Sequence, residues 1–208
     1  MPGRVVRDFP LFPLALVALP AEVVPLHIFE PRYRTMISEC LEQEREFGIV
    51  WASEDATRPI GCAARITDVL ETLPDGRMNI LTEGTRPFKV VEEQHDLPYP
   101  AATIEWLQDD PEKLSEPVVL AACEIYRELV EQATDKEPDP GELAEMSAYE
   151  MAATVDFGLD AKQELLDLRS ENARLTFVTR LLRAALKRLD FIERAQARAR
   201  SNGKVHFG

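Results

Sequence analysis

The sequence is poor in cysteine, in long apolar runs and in glycine-rich phosphate cradles, and each shortage removes a class of function. Cys40, Cys62 and Cys123 are its three cysteines, far apart and odd in number. They form no C-x-x-C pair and no His/Cys cluster, which argues against a structural zinc site. Cys40 and Cys62 stand among apolar neighbours and read as small buried residues, and free thiols suit a reducing cytoplasm. No apolar run approaches the length of a membrane span, and the Met-Pro-Gly-Arg start lacks the hydrophobic stretch of a signal peptide. Neither G-x-x-x-x-G-K-[S/T] nor G-x-G-x-x-G occurs, so a nucleotide-phosphate cradle is missing. The G-x-S-x-G elbow of a serine hydrolase is missing as well.

Positive charge is also short. A net charge of −13 disfavours general affinity for nucleic acid or anionic membranes. The charge is uneven: residues 1–110 sum to −9, residues 111–168 to −11 and residues 169–208 to +7. A basic end can bind an anionic partner or neutralise the acidic helices before it, and the second is the plainer reading.

What is present suffices for a core. With 208 residues, 45% of them apolar and 29% charged, the chain is globular and needs neither metal nor disulfide to fold. Its two halves differ in pattern. Up to about residue 110, short strands alternate with Pro and Gly; beyond it the periodicity is helical. The expectation is an α+β protein with domains at 1–110 and 111–208.

The first segment carries Pro10, Pro13, Pro20 and Pro25, so its strands should be short, bulged or at an edge. A helix should begin at Glu30-Pro31, with Tyr33, Met36, Ile37, Cys40 and Leu41 as its apolar stripe. "FGIVWA" reads as a strand opened by Gly48. Residues 60–95 read as a meander whose Asp75-Gly76 predicts a type I′ hairpin, with Gly84 at a bend between two strands. "AATIEWL" adds a strand, for about five to seven strands and one helix in all. In the second half a helix spans 116–133, residues 135–142 form a linker, and "LAEMSAYEMAATV" is one helix. Asp160 and Gln163 resemble a capping box. The last helix, 171–200, repeats Leu175, Val178, Leu182, Ala185, Leu189 and Ile192, a stripe that needs a partner within a bundle or in a second copy.

The sharpest chemical candidate is "VPLHIFEPRYR". His27 and Glu30 there can be read as a proton-transfer pair beside Arg32 and Arg34, the basis of a small hydrolytic enzyme. The plainer reading makes Glu30-Pro31 a helix start, with Leu26, Ile28 and Phe29 buried. Arg32 and Arg34 point to different sides of that helix and form no single fork. His95 and His206 have no partner that the sequence identifies. Pro10 and Pro13 have polyproline-ligand spacing but stand in a segment too apolar for a solvated ligand.

The segments "FPLFPLALVALPAEVVPLHIFEPRYRTMI", "FGIV", "IGCAARI" and "LPDGRMNILTEGTRPFKVV" resemble, in order and spacing, the Lon substrate-binding domain. That is the N-terminal domain of Lon proteases, which also occurs as a stand-alone bacterial protein. The resemblance is close over residues 8–108 and loose beyond. Ala21 and Glu22 replace a commoner Gly, and Pro87 interrupts the usual Arg-Phe. The resemblance implies a small PUA-like β-barrel, then a C-terminal helical bundle with a long last helix. It implies a cytoplasmic, proteolysis-related, non-catalytic module that binds exposed segments of unfolded or client polypeptides, through a groove or an open strand edge. It supplies no catalytic residue, cofactor or metal ligand, and no peptide-binding residue is assigned. The PUA-like barrel and the basic last helix keep RNA binding as an alternative, although aromatic–basic interleaving is absent from that helix.

Overall fold

The computed structural model describes residues 3–53 and 56–202; His206 lies outside the described residues. In chain order the elements are β1 (Val5–Leu14), β2 (Val23–Ile28), α1 (Pro31–Glu42), β3 (Phe47–Trp51), β4 (Ile60–Thr72), β5 (Met78–Gln94) and β6 (Ala101–Trp106), followed by α2 (Glu116–Thr134), α3 (Pro140–Glu145), α4 (Ala148–Ala153), α5 (Leu159–Asp167) and α6 (Glu171–Asn202). The protein is mixed α+β. Two compact units emerge: Met1–Pro111 with Tyr149–Ser170, and Glu112–Ala148 with Glu171–Gly208.

The strands form one sheet in the order β2-β5-β4-β3-β1-β6, and β6 pairs again with β5. The pairings therefore return on themselves through β5, β4, β3, β1 and β6, leaving β2 outside that circuit. Among the described residues β1 and β3 run parallel and the other strand pairs are antiparallel.

Where the sequence suggested two strands parted at Gly84, one strand of 17 residues runs through. Its first half pairs with β2 and β4, its second with β4 and β6. Gly84 is there for close approach. Its N–H donates to Glu22 O at 2.9 Å, its C=O accepts from Ala21 N at 2.8 Å, and a Cβ would run into the Leu19 carbonyl.

The prolines of β1 obey a related constraint. β1 is bulged between Val6 and Phe9, with Asp8 at φ 55°, yet it is paired on both sides rather than at an edge. Leu11 N donates to Pro100 O at 2.8 Å, and Leu14 O accepts from Ala52 N at 2.8 Å. The two bonds set the alternation: residues 11 and 13 aim their polar groups toward β6, residues 10, 12 and 14 toward β3. Pro13 therefore faces β6 beyond the last β1–β6 pair, Pro10↔Ala101. Pro10 faces β3 just before the first β1–β3 pair, Leu11↔Gly48. Neither proline removes a donor that a ladder would use. Pro25 lies in β2, an outermost strand, as its chemistry requires.

The Asp75-Gly76 hairpin forms with a different turn. Gly76 N donates to Leu73 O at 2.9 Å and Leu73 N to Arg77 O at 2.8 Å. Gly76 has φ 83°, while Asp75 does not share the left-handed region that a type I′ turn demands of both central residues. Pro74 favours the ordinary turn instead.

α1 starts at Pro31 and buries Tyr33, Met36, Ile37 and Cys40, while Leu41 is half-exposed. Tyr33 meets Phe12 of β1 with ring centroids 4.2 Å apart. Inside the strand circuit Phe9, Phe88 and Trp106 pack edge to face, with centroids 5.3–6.4 Å apart. The helix read as 143–155 is split into α3 and α4 at Met146, whose ψ of 129° is extended. Part of the expected linker is helical, because Asp139 caps α3 by accepting from Gly141 N and Glu142 N. The Asp160/Gln163 capping box does not form. Gly158, with φ 81°, is the cap of α5, and Gln163 donates to Ile60 O of β4 at 3.1 Å instead. Along α6 the buried stripe is Leu175, Val178, Leu182 and Leu186; Ile192 and Phe191 are exposed.

Gly84→Ala should lower stability by about 1–3 kcal/mol, the usual cost of overpacking against rigid backbone. A urea midpoint like that of the unchanged chain would contradict this.

Candidate functional site

The pairing pattern creates an open groove of about 520 Å³ in the first unit. β1 leaves β6 at Pro10 but continues along β3 to Leu14. The two strands separate, and the connection 95–100 crosses the gap. Leu11, Pro13, Val50, Val90, Leu97 and Tyr99 give the groove apolar walls; Arg32, Arg58, Glu93 and His95 add charged or polar groups. The volume is typical of ligand sites, and apolar walls with a few polar groups are their usual lining.

Two of these groups are held from outside the groove. The Tyr99 hydroxyl donates to Glu39 Oε2 of α1, tying the 95–100 connection to the helix. The Arg58 guanidinium lies 5.3 Å from the centre of the Trp51 ring, a cation–π contact, and has no carboxylate partner among the described residues.

His27 and Glu30 do not come together as an acid–base pair. Alternation along β2 buries Val24, Leu26 and Ile28 and exposes Val23, Pro25 and His27. The His27 ring bonds Asn79 Oδ1 through Nδ1 at 2.6 Å, and Asn79 Nδ2 donates to Glu71 at 3.0 Å. Glu30 instead accepts from Arg32, N–O 2.9 Å. Arg34 donates to the carbonyl of Asp75, so its work is to tie α1 to the β4–β5 turn. Phe29, expected to be buried, is 58% exposed and stacks on His27 at 5.9 Å. Phe29 follows the buried Ile28 and so takes the outward side of the alternation, with Val23, Pro25 and His27. The groove residues from Leu97 to Pro100 went unread in the sequence, because their role depends on where two distant strands part.

Burial pushes the Cys40 thiol up to about 11 and raises the Cys62 thiol strongly. Burial, then the bond to Glu39, pushes the Tyr99 hydroxyl up to about 12. Among the described residues no cluster of His, Cys, Asp and Glu is arranged to hold a metal ion, and no helix is long and apolar enough to cross a membrane.

The fold defines the class: a mixed α+β chain with a six-stranded sheet, an open groove and a helical remainder. The family follows from comparison. The model of the ATP-dependent protease La (LON) substrate-binding domain matches residues 8–184, and the chain belongs to that family. It is similar to Lon protease 1 of Hydrogenovibrio crunogenus, 23% identical over 91% of this chain and 26% of that protein. It is also similar to a Lon protease of Anaeromyxobacter dehalogenans, 27% identical over 83% of this chain and 22% of that protein. The chain thus spans about a quarter of the length of the curated relatives it matches. Among solved structures, a Lon N-terminal domain protein from Xanthomonas campestris superposes with TM-score 0.64 at 22% identity, over 82% of this chain and 95% of that one. The N-terminal domain of a Mycobacterium avium complex Lon protease gives 0.58 at 18% identity, over 85% and 98%.

The raised groups fix the sign of an alkaline effect. In the unfolded chain Cys40 loses its proton near 9.0 and Tyr99 near 10.0; folded, they hold theirs to about 11 and 12. Their stabilisation is complete below pH 9 and is lost as pH rises toward 12. The urea midpoint should fall from pH 9 to 11, and less steeply for Tyr99→Phe. A flat profile would contradict the assignment.

Proposed function

We propose that this chain is a polypeptide-recognition module that holds exposed apolar segments of unfolded or client proteins and performs no chemistry itself. The closed strand circuit is read as a small PUA-like barrel, and α2, α3 and α6 as the bundle that follows it. The observation that carries the reading is the apolar groove between β1 and the 95–100 connection, in a chain of the Lon substrate-binding family. Val90, Leu97 and the prolines there offer apolar surface to a side chain that a folded client keeps inside. Arg58, with no carboxylate partner among the described residues, suits an acidic residue beside that side chain.

Nucleic acid fits less well, since a net charge of −13 opposes a phosphate chain. A hydrolase centred on His27 and Glu30 also fits less well, since His27 is bonded to Asn79 and Glu30 to Arg32.

Fluorescence anisotropy with a labelled, permanently unfolded polypeptide tests this. Leu97→Asp places a charge in the apolar wall and should weaken binding by about tenfold or more, equivalent to about 1.4 kcal/mol. Arg58→Glu should weaken binding of acidic segments and spare neutral ones. Binding indifferent to Leu97→Asp would remove the groove from the account.

A further inference from the structure

Building on that reading, we infer that the outer edge of β2 takes an extended polypeptide segment as an added strand. The direction of its backbone groups follows from β5. Gly84 spends both its N–H and its C=O on the 21–22 segment, so residues 84, 82, 80 and 78 of β5 face β2. Their partners Val24, Leu26 and Ile28 face back. Alternation then turns the polar groups of Val23, Pro25 and His27 away from the sheet. Those groups are the N–H and C=O of Val23 and His27 and the C=O of Pro25, and none has a backbone or side-chain partner among the described residues. An exposed edge of this kind is a template for another strand.

Pro25 decides between occupants. In a symmetric antiparallel pair of two β2 edges centred on Pro25, proline stands opposite proline and both Pro25 carbonyls stay unbonded. A different segment brings an N–H opposite Pro25 and satisfies every outward group. The side chains select further. Val23 and Phe29 are each 58% exposed, and they flank Pro25 and His27 on one face. Glu71, beyond Asn79 in a shallow hollow next to Pro25 and His27, has no cationic partner among the described residues. The occupant is therefore an extended segment alternating apolar with polar or basic residues, the pattern of a strand that its own protein has failed to fold.

The test uses the full chain and an end-capped peptide that alternates valine with lysine or threonine. The peptide should slow hydrogen exchange of the Val23 and His27 amides by about tenfold or more, leaving those of Leu26 and Ile28 unchanged. N-methylating every second peptide amide in one register should abolish binding, and in the other register leave it intact. Val23→Pro removes an outward N–H as Pro25 already does, spares the β5 ladder, and should weaken binding severalfold. Binding with no protection at Val23 and His27, or with equal tolerance of both methylated registers, overturns the edge and leaves recognition through the groove standing. Protection that grows with protein concentration and no peptide overturns it in favour of a second copy. Failure of both this peptide and an unfolded polypeptide to bind overturns the edge and the function together.

Discussion

Everything in the sheet depends on β5 holding three partners at once. Its first half carries β2 on one side and β4 on the other; its second half carries β4 and β6. A strand can change partners this way only if another segment can press close where one partner ends. Gly84 permits that approach inside the continuous strand, since the Leu19 carbonyl occupies the space where a Cβ would stand. The circuit closes because β5 meets β6, and β2 keeps an open edge because, among the described residues, β5 is its one strand partner. The β1 prolines follow the same logic, each aiming its missing donor where a ladder has ended or not yet begun.

The two proposed recognition surfaces are consequences of that geometry. The groove exists because β1 and β6 part at Pro10 while β1 and β3 stay together. The edge exists because β2 lies outside the circuit. One offers apolar burial and the other unpaired backbone, the two commodities that an unfolded segment also has in excess. Neither surface requires a catalytic group, which agrees with membership of a substrate-binding family.

Much of this was legible in the residues. Pro31 and the Tyr33–Cys40 spacing mark α1, and the "LHIFEPRYR" and "DGRMNI" segments carry the family resemblance. What failed did so for local physical reasons. Gly84 reads as a bend, but its need is close approach inside a continuous strand. Asp75-Gly76 reads as type I′, yet Pro74 draws the turn into another form. Gln163 has the spacing of a capping box and is instead claimed by a β4 carbonyl. The His27–Glu30 pair failed because Asn79 and Arg32 are better placed partners. The groove had no signature at all, since its residues from Leu11 to Ala101 meet only through long-range pairing.

The central claim is recognition of polypeptide that is not folded. The most direct measurement is calorimetric titration of the full chain with one disulfide protein, used intact and, separately, reduced and alkylated so that it stays unfolded. The account predicts binding of the unfolded form alone, with a negative heat-capacity change from apolar burial. Equal binding of both forms, or binding of neither, would contradict it.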